Sequence, residues 1–279
     1  MSKITAQDVN KLRQMTGAGM MDCKKALQEV DGDFDKAVEI LRKKGQKVAN
    51  KRADRSANEG IVIAKTSDDQ KYGAIMMLNC ETDFVAKNED FINFAHSIID
   101  TVIANKPASL EELKATKISD DLTIEDKLTD MIGKIGEKLV LYKFDSLKSE
   151  RVFAYNHHGN KLGAIVALNK GGSQEIDDAG RQIAMQIAAM NPAGVDKDDV
   201  PQEVIDREME IGRDQARQEG KPENIIEKIA EGKLNKFMKE NTLMNQEFIR
   251  EAKTPVKDYL QKVDKDLKVV DFRRYMLGE

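Results

Sequence analysis

Cysteine is scarce in this chain, with only Cys23 and Cys80, far apart and without a CxxC pair or a histidine cluster. That leaves neither a disulfide framework nor a zinc site to read, and it fits a reducing cytosol. Histidine is equally sparse: His96, His157 and His158 show no zincin spacing, and no Gly-rich phosphate loop, GxSxG elbow or kinase signature accompanies them. Long apolar runs are missing too, none approaching the ~20 residues that span a bilayer. The opening Met1-Ser2-Lys3-Ile4-Thr5-Ala6-Gln7-Asp8 is polar where a signal peptide would be apolar. A cytoplasmic protein without a membrane partner is expected. Nor does one sign of charge prevail, since charged residues make up 34% of the chain at a net charge of -4. This balance favours neither a general nucleic-acid binder nor an acidic disordered tail.

What is present is length and repetition. The 279 residues suffice for two or three compact units. Lys71-Tyr72-Gly73-Ala74-Ile75-Met76-Met77-Leu78-Asn79-Cys80 recurs as Lys161-Leu162-Gly163-Ala164-Ile165-Val166-Ala167-Leu168-Asn169-Lys170, identical at six of ten positions. Upstream, Val62 and Ala64 fall opposite Val152 and Ala154 at the same offset of 90. Downstream, the apolar helical runs ending at Pro107 and Pro192 align at an offset of 85, so the first copy carries five extra residues between strand and helix. They lie in or beside Cys80 to Asn88. Two copies of one scaffold that differ at one place mark where a specific task was added.

Ahead of the duplication, residues 5–44 read as three short helices. Thr5 caps the first, with Val9, Leu12 and Met15 as its apolar stripe and Gly17 as its stop. Ala18, Met21, Ala26, Leu27 and Val30 carry the second. Asp33 caps the third, in which Phe34, Ala37, Val38, Ile40 and Leu41 face inward. Residues 42–60 are basic and poor in large apolar side chains. They read as a solvated linker, helical at most in part, because the interleaved aromatics of a nucleic-acid contact are lacking.

Each copy then reads as strand, turn, strand, helix and later strand. The hairpins are 61–65 with 72–79 and 152–155 with 162–169; the helices run over about 90–104 and 176–190; the closing strands are 138–143 and 268–273. The second copy spends far more residues before its closing strand, and the excess is helical. One arm carries Val204, Ile205, Met209, Gly212 and Ala216; the other carries Ile225, Ile226, Ile229, Ala230, Leu234 and Phe237, with Gly220-Lys221-Pro222 as the break. The expected fold class is α+β: a three-helix unit over 1–50 with a linker to 60, a first core subdomain over 61–145, and a second over 146–279 with an antiparallel helical hairpin inserted at 196–240.

No catalytic constellation is apparent, so an enzyme is not expected. Cys80 sits beside Glu81 and Asp83, whose charge disfavours a thiolate, and reads as an inert packing residue. Met20 and Met21 are adjacent on the second helix, so they cannot both face one core. Methionine is an adaptable contact residue, and a helix-docking surface competes there with plain packing.

Leu12-Arg13-Gln14-Met15-Thr16-Gly17-Ala18-Gly19-Met20-Met21-Asp22-Cys23-Lys24-Lys25-Ala26-Leu27, together with Asn79-Cys80-Glu81-Thr82-Asp83-Phe84-Val85-Ala86-Lys87-Asn88, closely resembles the bacterial translation elongation factor Ts family over essentially the whole chain. The resemblance implies an N-terminal domain similar to a ubiquitin-associated domain. It also implies a guanine-nucleotide exchange factor without cofactor or metal of its own, binding the GTPase elongation factor Tu and not nucleic acid directly. By residue, it implies Arg13, Met20 and Met21 as contacts to the GTPase domain. Thr82, Asp83, Phe84 and Val85 would be the intruding element that disturbs Mg²⁺ binding, and His157 a contact from the second copy. The family usually shows one histidine where His157 and His158 stand here. Some members continue into a further helix, whereas this sequence ends at Leu277-Gly278-Glu279, so contacts from such a module are not expected. Sheet edges or the hairpin could also support a homodimer.

The residues 82–88 have a plainer reading as well: a helix start capped by Thr82 or Asp83, with Phe84 as its anchor. A capped, rigid start can also present an outward phenylalanine. The alternative function is a scaffold or chaperone-like binder of a translation protein that leaves nucleotide kinetics unchanged.

Overall fold

The computed structural model describes residues 4–119 and 122–279; Met1, Ser2 and Lys3 of the polar start lie outside the described residues, as do Asp120 and Asp121. The chain opens with α1 (Ala6–Thr16), α2 (Met20–Glu29) and α3 (Phe34–Lys51). Thr5 and Asp8 form a reciprocal capping box on α1, Gly17 ends it at φ 69°, and the Asp33 carboxylate accepts from the Lys36 N–H to start α3. Val9, Leu12, Cys23, Ala26, Leu27 and Ala37 form the buried centre of this unit. Met15 and Met21, expected in it, are exposed. The buried stripe of α2 begins only at Cys23, leaving its first turn overhanging the bundle.

The first copy contains β1 (Glu59–Thr66), β2 (Tyr72–Cys80), a single-turn α4 (Asp83–Ala86) and α5 (Glu89–Asn105). It continues with α6 (Leu110–Ala115), the strand pair β3 (Lys117–Ser119) and β4 (Leu122–Thr123), α7 (Ile124–Ile135) and β5 (Leu139–Lys148). The sheet order is β1-β2-β5, all antiparallel. Every residue of β2 is buried, because its two faces serve different cores. Tyr72, Ala74, Met76, Leu78 and Cys80 join Phe91, Ala95, Ile98 and Ile99 of α5. Ile75 and Met77 point the other way, into a layer shared with the second copy.

The basic stretch after Arg42 is not a solvated tether. α3 runs without a break to Lys51 and lies against α7, with Gly45 buried and Val48 and Ala49 packed on the first core. The cause is tertiary: a glycine with no side chain lets two helices approach closely, and the basic residues around it occupy the outer face.

The second copy repeats the plan with β6 (Arg151–Asn156), β7 (Leu162–Leu168), α8 (Gln174–Met190), α9 (Gln202–Gln218) and α10 (Glu223–Asn241). It ends with β8 (Glu247–Phe248), β9 (Glu251–Pro255), α11 (Val256–Val263) and β10 (Val269–Met276). Its sheet order, β10-β7-β6, matches that of the first copy. Even a bulge is shared: the register shifts at Met77/Leu78 against β5 and beside Leu168 against β10, leaving Tyr142 and Val270 unpaired and exposed.

The two sheets meet face to face through Val62, Ala64, Ile75, Met77, Val152, Ile165 and Ala167. The contacts are reciprocal. A Cβ on Gly73 would lie 2.5 Å from Val152 Cγ1, and one on Gly163 would lie 3.1 Å from Val62 Cγ1. The Val152 N–H donates to the Gln70 carbonyl at 2.6 Å, and the Val62 N–H donates to the Asn160 carbonyl at 2.7 Å. The Asn156 amide also brackets the Ala64 backbone, at 2.7 and 2.8 Å, so the β1 edge is satisfied by the second copy. The glycines shared by the repeats are therefore places where one copy's strand must approach the other.

Gly212 of α9 meets Ala230 of α10, where an added Cβ would stand 3.0 Å from the Ala230 Cα, and Ala216, Ile226 and Met238 are buried. Ile225, assigned to the apolar face from the sequence, is exposed because Ile226 turns inward instead. The stems join where the Ala193 N–H donates to the Asn241 carbonyl and the Leu243 N–H to the Gly194 carbonyl, at 2.7 and 2.9 Å. Replacing residues 197–240 by a short Gly/Ser loop is thus expected to leave melting of the remainder cooperative; an insoluble or molten product would show that the hairpin supports the sheet. Among the described residues, no helix is long and apolar enough to cross a membrane.

Candidate partner interface

With Cys80 aligned to Lys170, the first copy spends residues 81–88 before α5 where the second spends only 171–173. The added chain folds as α4. Its start is capped by Thr82, whose hydroxyl accepts from the Val85 N–H at 3.4 Å. Thr82 is in turn gripped by Glu137: its N–H and its hydroxyl donate to the two carboxylate oxygens at 3.1 and 2.8 Å. Asp83 does not cap; it pairs with Lys87 at 2.7 Å, one turn on. The Lys87 hydrogen bond is the main reason the Asp83 carboxyl stays below the usual carboxylate range, and Lys161 adds to the effect.

Val85 packs on the first core and Ala86 is buried, so Phe84, on the opposite side of the single turn, projects outward and is 83% exposed. This corrects the sequence reading of Phe84 as an anchor; Val85 has that place. The ring therefore adds little to this chain's own packing and stands free on a helix turn held from behind by a carboxylate.

The turn carrying His157 lies at the same end. Asn160 of that turn accepts from β1, and Lys161 pairs with Glu59 at the start of β1 at 3.2 Å while lying within electrostatic reach of Asp83. His157 and His158 are both exposed, and the His157 Nδ1 is 2.9 Å from the Tyr155 hydroxyl, which orients that ring. His96 is exposed on α5.

Arg13, in the last turn of α1, is exposed, and Met20 and Met21 are 57% and 62% exposed on the first turn of α2. Met15, 55% exposed, adds to the apolar surface of this unit instead of to its core. A groove between α1 and α2 is lined by Ile4, Val9, Met20, Met21 and Lys24. The candidate residues thus form two surfaces: one on the helical unit, the other around α4 and the His157 turn.

Glu81 ties these regions together, and no local pattern announced it. One Arg52 guanidinium nitrogen donates to both Glu81 oxygens at 2.9 Å, and the Lys138 N–H donates to one of them at 2.6 Å. Burial pushes the Glu81 carboxyl up, but the Lys138 and Arg52 hydrogen bonds outweigh it and leave it below its ordinary value of 4.5. A depressed folded pKa means stability present above the unfolded value and lost as pH falls through the folded one. Glu81→Gln is therefore expected to melt lower than the parent near neutrality, with the gap closing below about pH 4.5. A gap that persists unchanged at pH 3 would show that charge is not what holds the clamp.

Cys80 is buried, and its thiol is pushed up to about 12 by burial and by the charges of Glu137 and Glu59. Its side chain packs in the first core, where these surroundings disfavour the thiolate. No group of three or more His, Cys, Asp or Glu suited to hold a metal occurs among the described residues.

A family model described as Elongation factor TS matches residues 81–279, beginning within the added segment. The chain is 50% identical over 275 residues to the Elongation factor Ts of Amoebophilus asiaticus (strain 5a2), covering 99% of each chain. The chain belongs to the elongation factor Ts family. Elongation factor Ts of Cytophaga hutchinsonii is 50% identical over 278 residues, 100% of both chains, and that of Porphyromonas gingivalis (strain W83) 48% over 275 residues, 99% of this chain and 98% of its own. The elongation factor Ts relatives span the helical unit as well as the duplicated core, so both surfaces lie within the shared region.

Proposed function

We propose that this protein is a guanine-nucleotide exchange factor for elongation factor Tu, acting in the cytoplasm. The observation that carries this reading is Phe84, exposed on a turn whose cap is fixed by Glu137, in a chain of this family. An exchange factor needs no acid, base or nucleophile. It must bind the nucleotide-free GTPase better than the nucleotide-bound one, and linkage then makes nucleotide weaken its binding by the same factor. Arg13, Met20 and Met21 dock the helical unit on the GTPase domain. Thr82, Asp83, Phe84 and Val85 supply the element that intrudes near the partner's Mg²⁺, on which nucleotide affinity heavily depends, and His157 adds a contact from the second copy.

Release of a fluorescent GDP from elongation factor Tu, followed with and without catalytic amounts of this protein, tests the reading. Acceleration supports it; tight binding without acceleration would leave the scaffold function in its place. Asp83→Asn is expected to slow exchange less than loss of the phenylalanine ring does, by a factor that changes with Mg²⁺ concentration. A defect that does not vary with Mg²⁺ would remove the metal-disturbing role while leaving the wedge.

A further inference from the structure

The Met20-Met21 face and Phe84 belong to different units, yet an unbroken path of packed backbone and charged hydrogen bonds joins them. α2 is fastened to α3 by an ion pair between Asp22 and Lys44 and by the shared core of the helical unit. One residue further, α3 crosses α7 with no side chain between them. A Cβ on Gly45 would lie 2.8 Å from the Thr129 carbonyl oxygen, and one on Gly133 would lie 2.9 Å from the Gly45 Cα. Val48 and Ala49 then pack on the first core. At the end of the helix, Arg52 holds Glu81, which directly precedes the Thr82 cap of α4. Lys138, next to Glu137, closes the loop by donating through Nζ to the carbonyls of Ala53 and Arg55 at 2.5 and 2.9 Å.

A glycine inside an exposed helix is unfavourable relative to alanine, because it loses more backbone freedom on ordering. A solvated tether would have no use for one, whereas here two helix-interior glycines, Gly45 and Gly133, face each other at the crossing. We propose that α3 is a rigid strut, with Gly45 and Arg52 as positioning residues, that sets the Met20-Met21 face and Phe84 at one fixed separation so that both engage a single partner molecule at once. This rests on the exchange-factor reading above. The physical gain is effective concentration: once one surface is bound, a strut of the right length delivers the other, whereas a loose tether spreads it through a large volume.

The test is a cycle of variants, read as the concentration of this protein that half-saturates GDP release from elongation factor Tu. In the parent, Met20→Ala with Met21→Ala should raise that concentration about tenfold, as for a small interface cluster. In a Gly45→Leu background, where α3 is forced off α7, the same pair should cost less than about threefold, because the second surface is no longer delivered in place. Gly45→Leu alone should raise the half-saturating concentration while keeping the maximal rate, since Phe84 is untouched. Circular dichroism checks that the helical unit stays folded; if Gly45→Leu melts it, Arg52→Ala carries the cycle, with Arg52→Lys expected to restore most of the coupling. Equal costs of the methionine pair in both backgrounds would overturn the strut while leaving the exchange function intact. If the parent fails to speed GDP release, the exchange reading falls, and the same cycle read as affinity for the nucleotide-free GTPase still decides the strut.

Discussion

Phe84→Ala is expected to slow nucleotide exchange by about 2 kcal/mol, roughly thirtyfold, the scale of an interface hot spot. Its melting temperature should stay close to that of the parent. The separation of these two effects is what makes the result informative. With 83% of the residue exposed, the ring touches little of its own chain, and substitutions at such sites change stability by no more than about 0.5 kcal/mol. Had Phe84 anchored α4 from within, its loss would cost ~3 kcal/mol of stability and leave exchange by the folded fraction intact. A variant that melts well below the parent but exchanges normally would therefore reverse the assignment. Thr82→Ala, by contrast, removes the cap and one of the Glu137 bonds together, so it should loosen α4 without removing the wedge.

The second large effect is on stability and falls at Gly60. Its φ is 145°, and an added Cβ would lie 2.2 Å from the Leu78 carbonyl oxygen and 2.8 Å from the Asn79 Cα. Both obstacles are backbone of the paired strand β2, so no side-chain rotation relieves them. Backbone strain and overpacking of this kind each cost about 1–3 kcal/mol, and Gly60→Ala, which incurs both, should therefore lose ~3 kcal/mol. For a chain of this size that corresponds to a fall in melting temperature of roughly 6–12 °C. A fall under about 2 °C would mean that β1 can draw away from β2 at its start without loss of the sheet. Gly73 is a useful contrast, since its obstacle is a methyl group of Val152, which can move.

Much of this architecture was legible because it is written in local patterns. Thr5, Gly17 and Asp33 mark helix ends by their own chemistry. The repeated Gly-Ala-Ile segments announce two copies before any contact is known, and the difference in their offsets isolates residues 81–88. The left-handed helix ends at Lys106 and Asn191, each followed by proline, stand at the downstream offset of 85. The small elements α6, β3 and β4 escaped, because short segments carry too few periods for a pattern to show; α7, at 12 residues, does carry a helical stripe in Ile124, Leu128, Met131 and Ile132 that the sequence reading did not use.

The candidate site divides along the same line. By itself the sequence determined that a segment was added to one copy, that it starts with a capping residue, and that two adjacent methionines cannot share a core. It also determined the α+β plan, since alternation and helical spacing arise from backbone geometry alone. Only the tertiary structure decided which side of α4 faces solvent, because that depends on Val85 and Ala86 finding the first core. It likewise decided that Met15 and Met21 lie outside the bundle and that α3 is a packed helix instead of a tether. Glu137 gripping Thr82 and Arg52 gripping Glu81 join residues tens of positions apart, and no local propensity encodes such a pair. Burial is a property of what a residue meets, and for Phe84, Met21 and Gly45 what each meets, or fails to meet, is set by chain far from it in sequence.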